Sequence, residues 1–206
     1  MPTNVFQGLF QSDPDQGSLR RANGLRLAAV PADFLLTLHL YLYERFGEKS
    51  QDLLYRSGFE QGLLDMVQLN QHLRAQYGGG NCDLWQMDAK FILDTWWEPL
   101  AQGGWGCATF TFGSPARGVS VVDVEECAVA VALGSADHPV CHFAAGLFAG
   151  AISFYERAER HATELECLAA GGARCRFVVA AGGEIDSAET WRQEGVLAQE
   201  IVRRLQ

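Results

Sequence analysis

Three of the six cysteines in this 206-residue chain lie between residues 141 and 175, and they constrain its fold more than any other feature. They are Cys141, Cys167 and Cys175, and Glu164 stands three residues before Cys167. Thiolates are strong zinc ligands, and a carboxylate can complete a tetrahedral set. Because four protein ligands leave no open coordination position, the pattern predicts a structural metal site rather than a catalytic one.

The local spacing indicates how the chain would close such a site. If residues 163–168 form a strand, Glu164 and Cys167 nominally face opposite sides, since side chains alternate along a strand. A bulge, a bend or the length of the glutamate side chain must then bring the two groups together. Gly171 and Gly172 predict a turn that returns Cys175 opposite Cys167.

The spacing alone leaves alternatives open. Free cysteine is a common core residue, so the three thiols could simply be buried side chains. The separation of Cys167 and Cys175 falls outside the C-x2–4-C pattern of zinc knuckles. His142 and His161 are alternative ligands.

The same stretch resembles the 4-vinyl reductase domain, also called the hydrocarbon-binding domain. That family includes an accessory protein of bacteriochlorophyll synthesis and the sensing domains of phenol- and xylene-responsive activators. In those sensors the matching side chains bind a structural zinc, so the resemblance implies a zinc site here. The residues that carry the likeness are Pro139, Val140, Cys141, Gly146, Gly150, Glu164, Cys167, Gly171, Cys175 and Phe177.

Composition limits the class of protein. A hydrophobic content of 48% fits a globular chain, and no apolar run reaches the roughly 20 residues of a membrane span. The formal net charge of −9 argues against a nucleic-acid partner. Six cysteines without a recognisable secretory signal favour reduced thiols, and hence a cytoplasmic location. We expect an irregular lead over residues 1–23 and a single domain over residues 24–206.

Periodicity and punctuation predict helices before Gly103-Gly104 and mostly strands after it. Residues 125–134 fit a strand or a short helix, and the family likeness favours the helix. The fold class is therefore α+β, with N-terminal helices packed on an antiparallel sheet and a structural zinc site. The predicted helices are 31–45, 50–77, 83–102, 139–157 and a final one capped by Asp186 or Ser187; the predicted strands are 25–30, 106–112, 119–124, 162–169 and 174–179.

Large aromatic rings are concentrated between residues 85 and 112. Ligand pockets are mostly apolar and aromatic, although each ring could equally be ordinary core. The glycine pair at 146 and 150 could let a helix lie close to a ligand, or serve packing alone. The candidate ligand contacts are Trp85, Phe91, Trp96, Trp97, Trp105, Phe110, Phe112, Gly146 and Gly150.

No catalytic fingerprint accompanies these rings. The sequence has no G-x-S-x-G, no P-loop and no dinucleotide-binding glycine motif, which leans against an enzyme without deciding the question. Our first hypothesis is a zinc-stabilised domain that binds a small apolar or aromatic molecule as a sensor or carrier. The resemblance also implies two alternatives, an accessory or reductase protein of tetrapyrrole synthesis and a dimeric structural adaptor. The ATPase and DNA-binding modules of the sensors are not found in this sequence, so we expect any output to pass through a partner chain or a homodimer.

Overall fold

The computed structural model describes residues 10–21, 25–76, 83–113 and 118–206. It opens with a small antiparallel sheet of β1 (Phe10–Asp13), β2 (Ser18–Arg21) and β3 (Arg26–Leu27). Asp13 pairs with Ser18 across a turn in which Gly17 has a φ of +57°. The expectation of an irregular lead is thus wrong for residues 10–21, because the turn closes a hairpin. Residues 1–9 and 22–24 of that lead lie outside the described residues.

The helices of the N-terminal half follow their sequence signals. The structure has α1 (Ala32–Phe46), α2 (Lys49–Gln76), a 3-10 turn (Leu84–Gln86) and α3 (Ala89–Gln102). Pro31 stands at the N-cap of α1, as expected for a residue whose φ is already helical. Asp88 caps α3 by accepting a hydrogen bond from the Phe91 N–H at 2.9 Å. Pro99 lies inside α3, which continues to Gln102.

Four antiparallel strands form the main sheet. They are β4 (Cys107–Phe112), β5 (Ser120–Glu125), β6 (His161–Glu166) and β7 (Cys175–Ala180), in the order β4-β5-β7-β6. Two further helices, α4 (Ala128–Leu133) and α5 (His142–Glu156), connect β5 to β6. The helix favoured by the family likeness at residues 125–134 is confirmed by α4, and α5 begins three residues after Pro139.

The main sheet is covered on both faces, and alternate residues of β7 show this. Phe177 and Val179 belong to a core shared with α2, α3 and α5. Val178 and Ala180 belong to a second core, formed with α6 (Gly182–Gln193) and α7 (Ala198–Leu205). The α+β class is confirmed. The helix nearest the four-donor end of the sheet is α5, with α2 packed on its outer side and α3 packed against β4.

The single final helix was predicted wrongly. Gly195 adopts a φ of +81° between α6 and α7, so the chain turns where a continuous helix was expected. Asp186 and Ser187 lie inside α6 instead of capping it. Ile201 and Leu205 face inward as predicted, whereas Leu197 is 77% exposed.

Candidate metal centre and adjoining cleft

A β-bulge lets Glu164 and Cys167 share one face of the sheet. In the β6–β7 register, Glu164 pairs with Phe177 and Glu166 pairs with Arg176, which leaves Leu165 as the extra residue. Leu165 turns to the core beneath α6 and α7, while Cys167 belongs to the core beneath α5. The predicted need for a bulge or bend is thereby confirmed.

Four buried donors converge beside this bulge. The ligand atoms of Cys141, Glu164, Cys167 and Cys175 all lie within 4.8 Å of one another. The Cys141 and Cys175 sulfurs are 3.7 Å apart. A zinc ion with bonds of about 2.3 Å to each sulfur would hold two of them about 3.8 Å apart in a tetrahedron. The donor set and this spacing therefore fit a zinc-type ion.

Glu164 supplies a second indication of a cation. Its side chain is buried, and its Oε2 accepts a hydrogen bond from the Cys141 N–H at 2.9 Å. Its Oε1 is buried without a hydrogen-bond partner among the described residues. Burial raises the pKa of Glu164 to about 9, and the charge of Cys167 adds to the effect. A bound cation would give Oε1 a partner and would favour the ionised carboxylate.

The thiols share protons within the cluster. Hydrogen bonds from Cys141 and Cys175 hold the pKa of the Cys167 thiol below its usual range. Hydrogen bonding to Cys127 and to Cys167 raises the pKa of Cys141. Thiols coordinate metal as thiolates, so metal binding at this cluster would release protons.

The alternative histidine ligands lie elsewhere. Within the described segments, the donor group contains neither His142 nor His161. His142 is half-buried beside the cluster, and burial lowers its pKa to about 4. His161 stands at the start of β6, with Nε2 at 3.6 Å from a Glu159 oxygen.

A fifth thiol, Cys127, was missed from the sequence. Its sulfur is buried and lies 3.7 Å from the sulfur of Cys141. Cys127 sits at the N-cap of α4 and belongs to no spaced motif, so only the tertiary fold brings it to the cluster.

Three of the candidate ligand-contacting rings pack into the core around Phe148, a residue that sequence reasoning also missed. The ring centroid of Phe148 is 5.0 Å from that of Trp97 and 6.1 Å from those of Trp96 and Phe110. The Trp97 N–H donates to the Gly106 carbonyl at 2.9 Å. These contacts assign the three rings a packing role.

The other candidates are dispersed over the molecule. Trp85 lies under the Arg157 guanidinium, 5.2 Å from its ring centroid, and Trp105 packs against Phe143. Phe91 and Phe112 are exposed.

The two candidate glycines do not open onto a ligand space. A Cβ on Gly146 would lie 1.9 Å from the Tyr55 carbonyl oxygen, and one on Gly150 would lie 2.1 Å from that of Phe59. The space before both glycines is filled by the backbone of α2, which is the packing alternative. They are corrected from candidate ligand contacts to helix-packing residues.

A cleft of about 1110 Å³ opens next to the donor cluster. It lies between the start of α2, the start of α5, β6 and α6, so no single stretch of sequence announces it. Tyr55, His142, Ala145, Glu164 and Ile185 are among its lining residues. The Tyr55 hydroxyl accepts a hydrogen bond from the Ala162 N–H at 3.1 Å, which leaves its own hydrogen available.

Fold and site together define an α+β domain braced by a buried cluster of three thiols and a carboxylate. Residues 120–181 match the family model of the 4-vinyl reductase domain, which confirms the predicted resemblance. The chain therefore contains a 4-vinyl reductase domain over these residues. A comparison with curated protein sequences finds no significant match.

Solved structures share the fold more widely. The phenol-responsive sensory domain of the transcription activator PoxR, solved with phenol, has a TM-score of 0.63 and 22% identity, covering 91% of this chain and 98% of that one. A vinyl-4-reductase family protein from Methanocaldococcus jannaschii has a TM-score of 0.50 and 16% identity, covering 74% and 82% of the two chains. At these identities the likeness establishes the fold alone.

A membrane span is not found. None of the helices in the described segments combines the length and the apolar character that crossing a bilayer requires.

Proposed function

We propose that this protein is a small-molecule-binding domain of the 4-vinyl reductase type, stabilised by a zinc ion at Cys141, Glu164, Cys167 and Cys175. The ion would be structural, because all four ligands are buried protein side chains. It would fasten the start of α5 to the β6–β7 ribbon. The five cysteines of the described segments are free thiols, which supports a reducing cytoplasmic setting.

The cleft beside the cluster is the observation that carries the binding proposal. Glu164 lines the cleft and also belongs to the donor group, so a ligand there would share a wall with the metal. The fold of PoxR, whose sensory domain was solved with phenol, supports a small aromatic ligand. The Tyr55 hydroxyl would donate to a polar group on that ligand, and Ala145 and Ile185 would contact its ring.

Phenol is the probe that tests this proposal. Native mass spectrometry should show one metal ion per chain, and phenol should raise the melting temperature in a saturable way. His142→Gln should weaken the phenol effect, because His142 lines the cleft. Phe91→Leu should leave the effect unchanged, since Phe91 is 54% exposed on α3 and outside the cleft. The reverse pattern, or no saturable shift with phenol and related simple aromatics, contradicts the cleft as the binding site.

A homodimer is the second part of the proposal, and α1 supports it. None of the residues of α1, all of them described, is buried. Phe34, Leu38 and Tyr41 form one exposed flank at helical spacing. Leu40 and Tyr43 lie on the opposite flank. A helix that is apolar on so much of its circumference normally packs against something.

The exposed area of α1 is of the size that a dimer uses. Four aromatic side chains, Phe34, Tyr41, Tyr43 and Phe46, are each about half-exposed. At roughly 200 Å² per ring they offer about 400 Å², half of the ~800 Å² that each partner buries in a standard interface. Leu38, Leu40 and Val131 add to that surface. A second copy, which carries the same surface, is the partner we propose.

The remaining functions implied by the family resemblance stay predictions. A co-purified pigment with a Soret-type absorption band would indicate a role in tetrapyrrole synthesis. A dimer that carries neither ligand nor pigment would indicate a structural adaptor.

A further inference from the structure

Cys127 is a thiol that the proposed metal centre does not use. Its sulfur is as close to the Cys141 sulfur as the Cys175 sulfur is, at 3.7 Å in both cases. Cys127 is 3% exposed and makes no side-chain capping hydrogen bond to α4, in which every residue is described. A four-coordinate ion held by Cys141, Glu164, Cys167 and Cys175 leaves this fifth donor uncoordinated.

We propose that Cys127 and Cys141 form an oxidisable pair, so that a hydroperoxide converts them to a disulfide and releases the metal. This inference rests on the proposed metal site. A disulfide requires the two sulfurs to close from 3.7 Å to about 2.05 Å, a movement of the order of a side-chain rotation. The uncoordinated thiol reacts first, since its electron pairs are not shared with the ion.

The reaction has two balanced steps. The Cys127 sulfur attacks the hydroperoxide, the O–O bond breaks, and the products are a sulfenic acid at Cys127 and one alcohol or water molecule. The Cys141 thiolate then attacks the sulfenic sulfur, and its hydroxyl leaves as water with a proton from solvent. The hydroperoxide takes up the two electrons that the two sulfurs lose. Cys141 can no longer coordinate, so the ion keeps only three protein ligands and is released.

Burial makes the reaction slow and gives it an internal reference. Cys127 and Cys141 are buried, whereas Cys107 on β4 is an exposed free thiol. Cys107 should therefore be oxidised earlier, without loss of metal. Any coupling between oxidation and metal release then belongs to the buried pair.

Hydrogen peroxide is the probe, applied to the metal-loaded full chain. A chelating dye follows metal release, and peptide mapping without reduction identifies the cross-link. We expect a Cys127–Cys141 peptide lighter by two hydrogens, formed in step with metal release and reversed by thiol reductant. Cys127→Ser should keep its metal on purification and slow peroxide-induced release by roughly an order of magnitude. Cys107→Ser should behave as the wild type.

Three results overturn the inference. They are release from Cys127→Ser at the wild-type rate, a wild-type cross-link from Cys141 to Cys175 instead, and purification of Cys127→Ser without metal, which would make Cys127 a ligand. A wild-type chain that contains no ion contradicts the metal site, and its peptide map still shows whether Cys127 pairs with Cys141.

Discussion

Gly146 of α5 lies so close to α2 that a methyl group on it would stand 1.9 Å from the carbonyl oxygen of Tyr55. Gly150 meets Phe59 in the same way one turn later. On the facing helix, Gly58 and Gly62 approach the backbone of α5 as closely. The two helices therefore meet backbone to backbone, and this contact fixes the position of α5, whose start carries Cys141.

Gly146→Ala should destabilise the protein. The new methyl group would meet a backbone carbonyl, which cannot rotate away, so the helices must separate at a cost of about 3 kcal/mol or more. Denaturant unfolding measures the loss. Gly183→Ala in α6 is the matched control, because a Cβ there meets nothing within 4 Å; its effect should stay within about 0.5 kcal/mol. Equal stability of the two variants would rule out the close crossing.

Cys167→Ser and Cys175→Ser should each lose the metal and much of the stability. Metal-binding energy contributes to folding, so we expect a melting temperature lower by about 10 °C or more, at roughly 2–4 °C per kcal/mol. Metal analysis and thermal unfolding check both effects. Cys107→Ser replaces an exposed thiol outside the donor group and should change neither. A full ion complement in Cys167→Ser would exclude that sulfur as a ligand.

The sequence supported much of this centre because its signals are local. Cys141, Glu164, Cys167 and Cys175 were chosen from residue type and family likeness, and they converge in the structure. The bulge was required by side-chain alternation and is found at Leu165. Whether the four residues bind zinc stays a prediction.

Features that depend on contacts between distant segments escaped sequence reasoning. The Trp96 and Trp97 rings looked equally suited to a pocket or a core, and only the position of Phe148 decides between them. Cys127 has no spacing signal. The cleft is assembled from several separate elements. By contrast, the run from Asp13 to Gly17 is a turn signal that could have revealed the β1–β2 hairpin.

Phe148→Ala should cost about 3–5 kcal/mol, because Phe148 is fully buried at the centre of the aromatic core. Phe91→Ala removes a ring of the same size from an exposed position and should cost much less. Denaturant unfolding of the two variants gives the comparison. Similar losses at both positions would contradict the assignment of Phe148 to the core.

Glu164 should make the metal-free protein less stable as the pH rises. Burial raises its folded pKa to about 9, well above the unfolded value near 4.3. The folded state thus retains a proton that the unfolded chain has lost, so this contribution is full below pH ~4.3 and disappears as the pH approaches 9. Between pH 6.5 and 8 the loss should reach at most about 2 kcal/mol.

Unfolding of the chelator-treated protein at several pH values measures this slope. Glu164→Gln has no titrating proton there and should show a flatter profile in the same interval. Metal-loaded wild type should also lack the fall, since the ion stabilises the ionised carboxylate. A metal-free wild type whose stability rises with pH by more than that of Glu164→Gln would show that the Glu164 pKa is lowered instead.

Charge placed on α1 should separate the proposed dimer without harming the fold. Leu40→Glu and Tyr41→Glu alter the two exposed flanks, and neither side chain contributes to the buried core. If either flank packs against the second copy, a buried unpaired carboxylate should raise the dimer Kd by about 100-fold for that variant. Sedimentation velocity over a concentration series measures the Kd, and circular dichroism checks the fold. Leu197→Glu is the matched control, because Leu197 is apolar, 77% exposed and placed just before α7. A monomeric wild type, or two α1 variants that associate like the control, would mean that α1 faces a different partner.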